Sequence, residues 1–447
     1  MEQDLTTGSV FKRIVYFSLP YLLSYFLQTL YGMADLFITG QFYGVDTITA
    51  VSNGSQIMHM MTVIIVGLAM GTTVTIGHSV GAKCTEQAEK IIGNTITLFM
   101  GIAVAFTVIL VVLVKPIVVL IATPQEAVAG TSIYLLICFI GIPFITAYNI
   151  ISSIFRGLGD SKSPMYFIGI ACVMNIALDY LFMGAFHMGA AGAALGTVCA
   201  QTFSVLVALW VIRRRKTGIS LKKSDFKIER AVIGQVLKIG IPVALQDGFI
   251  QVAFMIITVI ANSRGVSDAA AVGVVEKVIS ALFIVPSSML ATVSALSVQN
   301  LGAGKEKRAT DTLHYATVIT TIYGMIVAVL IQFIAENVVG IFTSDTTVVT
   351  MGSAYIRSYI WDCIFAGIHF SFSGYFAACG KSYIGFLHNI ISITFVRVPG
   401  SYLASKYFTD TLYPMGLAAP AGSLVSVAIC ATAFILLKRK SRVAQTA

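Results

Sequence analysis

Two aspartates lie inside long apolar stretches in the first half of this chain. Asp35 lies fifteen residues after Pro20, and Asp179 lies fifteen residues after another proline. At ~1.5 Å of rise per helical residue, both carboxylates lie roughly 22 Å along their helices and so at a similar height. Asn175 precedes Asp179 by one helical turn and points into the same volume. These stretches embed no lysine or arginine, so the pair needs a proton or a metal ion to neutralise it.

Two further side chains are expected to bring oxygen atoms to the same level. Thr197 lies about eight residues into the sixth apolar stretch, and Tyr134 lies near the outer start of the fourth. Carboxylate, amide and hydroxyl oxygens suit a hard cation such as Na⁺, and the same carboxylates can instead share a proton. We therefore predict a cation or proton site, with no catalytic residues, at Asp35, Asn175, Asp179, Thr197 and Tyr134. Na⁺ is the metal ion expected at the first four of these residues if the coupling ion is a metal.

The second half of the chain distributes its embedded charges differently. Its acids are Asp247, Glu276 and Asp362, and its bases are Lys277, Arg357 and Arg397. Because ion pairs can neutralise such a set, structural pairing is at least as plausible here as contact with a substrate. The residues assigned as secondary substrate contacts are Asp247, Glu276, Asp362 and Arg397.

The elements that position these residues are transmembrane helices. Hydrophobic residues make up 57% of the 447-residue chain and charged residues 11%, against ~25% charged residues in a typical soluble domain. A membrane-spanning helix needs roughly 20 apolar residues. The sequence predicts an all-α integral membrane protein with spans at 14–40, 47–72, 91–114, 130–153, 164–186, 190–212, 234–260, 271–297, 311–335, 350–374, 383–404 and 415–437.

The two halves of the chain repeat one another. Residues match at an offset of 221 or 222 in five pairs, Pro20 with Pro242, Gly44 with Gly265, Gly81 with Gly302, Tyr134 with Tyr355 and Gly159 with Gly380. Such duplication is typical of secondary transporters. We predict a six-helix lobe at 1–212, a basic cytoplasmic linker at 213–233 and a second, pseudo-twofold-related six-helix lobe at 234–447. Within the linker, residues 221–233 are expected to form a short amphipathic helix on the lipid headgroups.

The distribution of lysine and arginine predicts the orientation of the chain. Alternate connections carry nearly all of these residues, which places both termini in the cytoplasm. The nearest candidate for a phosphate-binding loop, residues 157–160, lacks the lysine pattern of a P-loop. The seven cysteines and six histidines show no metal-ligand or disulfide spacing. Any pumping is therefore expected to draw its energy from an ion gradient, with no bound cofactor.

Several motifs resemble those of the multidrug and toxic compound extrusion (MATE) transporters, and the likeness looks closest to the bacterial DinF-like and MepA-like branch. The motifs are Leu5-Thr6-Thr7-Gly8-Ser9, Met33-Ala34-Asp35-Leu36-Phe37-Ile38-Thr39-Gly40, Gly81-Ala82-Lys83 and Phe155-Arg156-Gly157-Leu158-Gly159-Asp160. The resemblance implies twelve helices in two six-helix lobes around a central cleft. It also implies export of cationic, amphipathic drugs in exchange for Na⁺ or protons.

The resemblance also carries residue roles onto this sequence. It implies that the family's ion-site residues are Asp35, Asn175, Asp179, Thr197 and Tyr134, the set chosen above by height and charge. The hinge and the cavity of the first lobe are assigned to Pro20, Gln28 and Asn149. Pro20 either begins the regular first helix or kinks a helix that starts earlier. Some members of the family also use acids in the seventh and tenth helices. In this sequence Asp247 and Asp362 lie near those positions but do not match them.

Taken together, the sequence predicts a secondary active multidrug efflux transporter that works by alternating access, and not an enzyme. The alternatives are a flippase for lipid-linked substrates and a narrow metabolite exporter of a related superfamily. The expected partners are small organic cations or amphipathic drugs and membrane lipid, without nucleic acid, and a monomer is expected. The expected location is the bacterial cell membrane, with multiple passes.

Overall fold

The protein is all-helical over the residues that the computed structural model describes, which are 4–214 and 220–446, with side chains as far as Arg439. The π-helical turns Tyr180–Ala185 and Ile393–Arg397 follow α6 and α14, and the 3₁₀ turn Lys223–Phe226 precedes α8. The α-helices are α1 (Val10–Phe42), α2 (Val45–Gly81), α3 (Thr85–Leu120), α4 (Gln125–Ile140), α5 (Ile142–Gly157), α6 (Lys162–Asp179), α7 (Gly189–Arg214), α8 (Arg230–Asn262), α9 (Val266–Leu282), α10 (Ile284–Gly302), α11 (Glu306–Gly340), α12 (Thr346–Tyr359), α13 (Asp362–Ala378), α14 (Ser382–Ser392), α15 (Val398–Tyr407) and α16 (Tyr413–Thr446).

Each of the twelve predicted spans coincides with a helical segment in the described residues. Seven spans are continuous α-helices, and five are interrupted by a break or a π-helical turn. Eight described segments are long and apolar enough to cross a membrane, and counting the bent pair α4–α5 makes nine. The first, tenth and eleventh predicted spans are not among these nine segments.

The fourth span of each repeat is broken near its middle. In the first repeat, α4 and α5 meet at an angle of 51° at Gly141. Pro143 lies in the first turn of α5, where its missing N–H is tolerated. A Cβ on Gly141 would lie 2.4 Å from the Val198 side chain of α7, so this position requires glycine. In the second repeat the matching break lies between α12 and α13.

The chain divides into two compact units, described here one at a time. The first unit comprises Met1–Thr7, Tyr16–Ala244 and Gly302–Gly304, and the second comprises Gly8–Val15, Leu245–Leu301 and Lys305–Ala447. Within the first, α3 packs on α4 and α5, and α7 packs on the same two helices. Within the second, α11 packs on α12 and α13, and α16 packs on the same two. The repeat is therefore visible in the packing of each unit.

The start of α8 belongs to the first unit, although the second lobe was predicted to begin at 234. Glycines on α2 and α8 allow the two backbones to approach closely. A Cβ on Gly71 would lie 2.1 Å from the Val236 carbonyl oxygen, and one on Gly240 would lie 2.3 Å from the Leu68 carbonyl oxygen. These contacts place the division between Ala244 and Leu245, inside α8.

The described part of the linker contains the 3₁₀ turn Lys223–Phe226, which is hydrogen-bonded to α3. The prediction of an amphipathic helix at 221–233 is therefore wrong. Asn94 of α3 donates from Nδ2 to the Asp225 carbonyl oxygen at 3.1 Å. Its Oδ1 accepts a hydrogen bond from the Glu229 backbone N–H at 2.7 Å. These bonds to α3 satisfy backbone groups that a helix would have paired internally. The linker residues Arg215 and Lys216 lie outside the described residues.

Candidate ion-binding site

The first unit contains a cavity of about 130 Å³ that is lined by side chains of α1, α2 and α4 to α7. The predicted site residues Asp35, Tyr134 and Thr197 line it, together with Gln28 and Asn149. Drug-sized ligands occupy pockets of roughly 300 to 1,000 Å³. In this arrangement the cavity therefore suits ions and water better than a drug.

The acidic side chains of α1 and α6 meet beside this cavity. Asp35 is 3% exposed, and Asn175 and Asp179 are fully buried. Asp35 interacts with Asp179, Asn175 and Thr197, and Thr197 Oγ1 donates to Asp35 Oδ2 at 3.3 Å. The structure thus brings together the four residues to which the sequence assigned the Na⁺ or proton site.

Gly196 of α7 leaves room for the Asp179 carboxylate because it has no side chain. A Cβ on Gly196 would lie 2.1 Å from Asp179 Oδ1 and 3.6 Å from Asn175 Nδ2. Asp179 is the last residue of α6, immediately before the π-helical turn Tyr180–Ala185. Such turns are frequent at functional sites because they change the direction in which side chains leave the helix.

Most polar side-chain atoms of Asp35, Asn175 and Asp179 form no hydrogen bond. Asp35 Oδ1, both carboxylate oxygens of Asp179 and both amide atoms of Asn175 are buried without a hydrogen bond. Within the described residues, neither carboxylate interacts with a lysine or arginine. Buried charges without a partner are costly. The oxygens therefore fit a bound monovalent cation or a proton, either of which would remove part of this cost.

Several residues of the site were missed by the sequence analysis. Tyr31 and Gln201 line the cavity, one helical turn before Asp35 and one turn after Thr197. Helical spacing could have found both, since residues four apart share a face. Ser55 also lines the cavity, and its hydroxyl lies 3.1 Å from Tyr134 Oη. No local pattern marks Ser55, because it reaches the site through the packing of α2 on α4.

Pro20 lies inside α1, which begins ten residues earlier at Val10. The interpretation that Pro20 begins the regular helix is therefore wrong. Ser24 Oγ donates to the Pro20 carbonyl oxygen at 2.8 Å, within the next turn. Pro20 is not among the residues lining the cavity, and its role as a hinge stays a prediction.

The second unit has a charged cluster of another composition, here called the Arg397 cluster, formed by Glu276, Tyr359, Asp362 and Arg397. Arg397 ends the π-helical turn Ile393–Arg397 and donates from Nη2 to Tyr359 Oη. Its Cζ lies 4.9 Å from the Phe254 ring centroid. Glu276 and Asp362 both interact electrostatically with Arg397, but neither forms an ion pair with it within 4.0 Å in the described chain.

The other embedded charges of the second half depart from the predicted pairing. Lys277 lies within α9, as expected, but its side chain is exposed on the surface of the helices. Arg357 Nη2 pairs with Glu336 Oε1 at 3.2 Å, an acid that the sequence analysis did not single out. Asp247 is half-buried and forms no hydrogen bond or ion pair with the described residues. Of the six embedded charges that the sequence analysis named in this half, Arg357 alone forms a direct ion pair within the described residues.

The fold is that of a multi-pass membrane protein built from an internal duplication, a plan typical of secondary transporters. The MatE family model matches the chain twice, at residues 20–181 and 242–403. The chain therefore belongs to the MatE family, the MATE transporters that its motifs resemble. The two matches begin 222 residues apart, which confirms the repeat that was read from the sequence.

Relatives and solved structures agree with this assignment. The chain is 30% identical to the probable multidrug resistance protein YpnP of Bacillus subtilis, over 93% of each chain. It is 23% identical to the multidrug export protein MepA of Staphylococcus aureus, over 83% of this chain and 82% of MepA. A solved multidrug resistance MATE family transporter in an outward-facing conformation superposes with a TM-score of 0.91, at 20% identity, over 98% and 99% of the two chains. The predicted all-helical MATE-like fold is confirmed.

Proposed function

We propose that this protein is a secondary active efflux transporter that exports cationic or amphipathic organic compounds in exchange for Na⁺ or H⁺. The observation that carries the proposal is the buried pair Asp35 and Asp179, which has no lysine or arginine partner in the described chain. Relatives named as multidrug resistance and multidrug export proteins support the class of cargo. The expected setting is a bacterial cell membrane with both termini in the cytoplasm.

The acid pair supplies a physical means of coupling. Two unit charges 4 Å apart repel by about 4 kcal/mol at an effective dielectric constant of 20. A cation or proton entering the site relieves this repulsion and so favours the arrangement of α1, α6 and α7 that holds the acids together. Cargo that binds better to another arrangement is then released. Coupling requires only that ion and cargo differ in their affinity for the alternating states.

The shape of the cavity supports separate roles for ion and cargo. Its volume of about 130 Å³ accommodates an ion with water, whereas a drug needs a wider pocket. The cargo would therefore bind when α1 has moved away from the other helices of its unit. Pro20 is the proposed position of that movement, because a proline lacks the N–H of one helical hydrogen bond.

The flippase alternative would require bases gathered around a cavity. Within the described residues, Lys277 is exposed, Arg357 pairs with Glu336, and Arg397 donates to Tyr359. Two of these three bases are therefore engaged by other side chains, and the third is on the surface. A narrow metabolite exporter uses the same ion chemistry, and the transport assay distinguishes it.

The test is ethidium movement in proteoliposomes that contain the purified protein, with Na⁺ and proton gradients imposed separately. The variants are Asp35→Asn and Asp179→Asn, and the matched control is Asp46→Asn, an exposed acid in the first turn of α2. We expect one gradient to drive transport in the wild type and in the control, but in neither site variant.

Normal ion dependence in Asp35→Asn and Asp179→Asn would refute the site assignment. If the folded wild type moves no ethidium under either gradient, the multidrug proposal is wrong and a narrow exporter or flippase is favoured. Movement of labelled lipid between leaflets would then identify the flippase.

A further inference from the structure

A partly buried cation near the other end of the first unit has no acidic partner among the described residues. Arg156 lies in the last turn of α5, and its Cζ lies 4.5 Å from the ring centroid of Tyr21 on α1. Tyr25 and Tyr148 also interact electrostatically with it. We call Arg156 with these three tyrosines the Arg156 cage. The guanidinium forms no hydrogen bond or ion pair within the described chain, and its Nε is fully buried.

This arrangement leaves the donors of the guanidinium unused. An arginine side chain carries five N–H donors in a planar fork that matches the oxygens of phosphate or carboxylate groups. The Tyr21 ring supplies a cation–π contact, which replaces only part of the lost hydration. Tyr21 and Tyr148 are 2% and 6% exposed, so little water reaches this side of the cage. An anion with two or more oxygens would satisfy the open donors.

The second repeat shows that the fold does not require this arginine. Gly159 matches Gly380 between the repeats, which aligns Arg156 with Ala377 at the same offset. Tyr148 similarly aligns with His369, which lies in α13. The same helical segment thus folds in the second unit without an arginine or its tyrosine, so the duplicated fold does not itself require them.

The position of the cage indicates the source of the anion. Arg156 lies one residue before the end of α5, beside the connection predicted to be cytoplasmic. At the start of the next helix, Lys162 Nζ lies 4.4 Å from the ring centroid of the exposed Tyr16. Lysine and tyrosine at this level are typical of the membrane interface, where lipid phosphates lie. Basic pockets between helices on the cytoplasmic side bind anionic lipid heads.

We infer that the Arg156 cage binds the phosphate group of an anionic phospholipid from the cytoplasmic leaflet. The phosphate accepts hydrogen bonds from the guanidinium, and the tyrosines enclose the pair. This role does not depend on the coupling ion or on the cargo of the transporter.

The experiment compares wild type, Arg156→Gln, Arg156→Lys and the control Lys115→Gln, an exposed lysine of α3, each purified in detergent. Lipid binding is measured by native mass spectrometry, and stability by thermal unfolding, with phosphatidylglycerol, phosphatidylcholine or inorganic phosphate added. We expect phosphatidylglycerol to stabilise the wild type and the control, and to bind Arg156→Gln about tenfold more weakly. Arg156→Lys should be intermediate, because lysine lacks the planar fork.

Unfolding without added lipid separates lipid binding from a structural role. Removing a partly buried cation that has no acidic partner should leave Arg156→Gln at least as stable as the wild type. Lower stability of both Arg156 variants without lipid would overturn the inference in favour of a structural role. Equal stabilisation of Arg156→Gln and wild type by phosphatidylglycerol would also overturn it. Equal stabilisation by inorganic phosphate would identify a soluble anion site and refute the lipid assignment.

Discussion

The two units differ in how buried charges are neutralised near the π-helical turn of the fifth span. In the first unit, Asp179 directly precedes the π-helical turn of the fifth span and lies near Asp35, without a base. In the second unit, Arg397 ends the π-helical turn of the fifth span of its repeat, between two acids. A duplicated scaffold has therefore produced one site that lacks a positive charge and one site that contains its own.

In the proposed function, the acid pair of the first unit takes up an ion and the Arg397 cluster does not. A pair of buried carboxylates is neutralised only by what it binds, so its free energy follows the concentration of protons or cations. In the Arg397 cluster, the positive charge is covalently part of the chain and is always present. Coupling to an ion gradient is therefore expected to depend on the first unit.

The largest expected effect comes from removing one acid in each unit. Asp179→Asn should reduce ion-driven transport about 100-fold, because it removes the coupling free energy between ion and cargo. Asp362→Asn should reduce it less than about threefold, since its remaining cluster keeps a charged partner for Arg397. Initial transport rates in proteoliposomes at matched protein density measure both. Equal losses in the two variants would contradict the asymmetry between the units.

The next effect comes from removing the base of the second unit. Arg397→Gln leaves Glu276 and Asp362 buried without a cation and should cost about 3 kcal/mol of stability. Thermal unfolding in detergent measures this loss. The double variant Arg397→Gln with Glu276→Gln should regain much of the stability, because one uncompensated charge is removed. An unchanged unfolding midpoint in Arg397→Gln would show that Arg397 does not neutralise the charges of Glu276 and Asp362.

A substitution that adds volume beside Asp179 tests the acid pair of the first unit without altering any charge. Gly196→Ala places a methyl group where Asp179 Oδ1 now lies, and such overpacking costs about 1 to 3 kcal/mol. The displaced carboxylate should weaken apparent affinity for the driving ion about tenfold. The concentration of ion that gives half-maximal transport measures this shift. Gly101→Ala is the matched control, because a Cβ there meets no atom within 4 Å, and it should leave the ion dependence unchanged.

The smallest effect is expected at the matched tyrosines of the two repeats. Tyr134 and Tyr355 are 2% and 1% exposed. Tyr134→Phe removes the hydrogen bond with Ser55 and should cost about 1 kcal/mol. The Tyr355 hydroxyl has no hydrogen-bond partner among the described residues, so Tyr355→Phe should be nearly neutral. Unfolding midpoints distinguish the two, and a larger cost at Tyr355 would reverse the comparison.

The sequence predicted that Asp35, Asn175 and Asp179 lie together better than it predicted the pairing of charges in the second unit. Asp35, Asn175 and Asp179 could be placed together because helical rise and periodicity determine height and face. Lys277 adjoins Glu276 in sequence but is exposed, because neighbours on a helix point about 100° apart. Glu336 was missed because its pairing with Arg357 joins two helices whose relative rotation no local pattern specifies.

The sequence by itself determined the membrane class, the duplicated helical plan and the level of each embedded acid. These properties depend on hydrophobicity, length and helical rise, all of which are local. Tertiary structure alone decided that Arg397 meets Tyr359, that Gly196 receives Asp179 and that Asn94 holds the linker. Such contacts depend on the rotation and packing of helices distant in sequence, which many residues determine together.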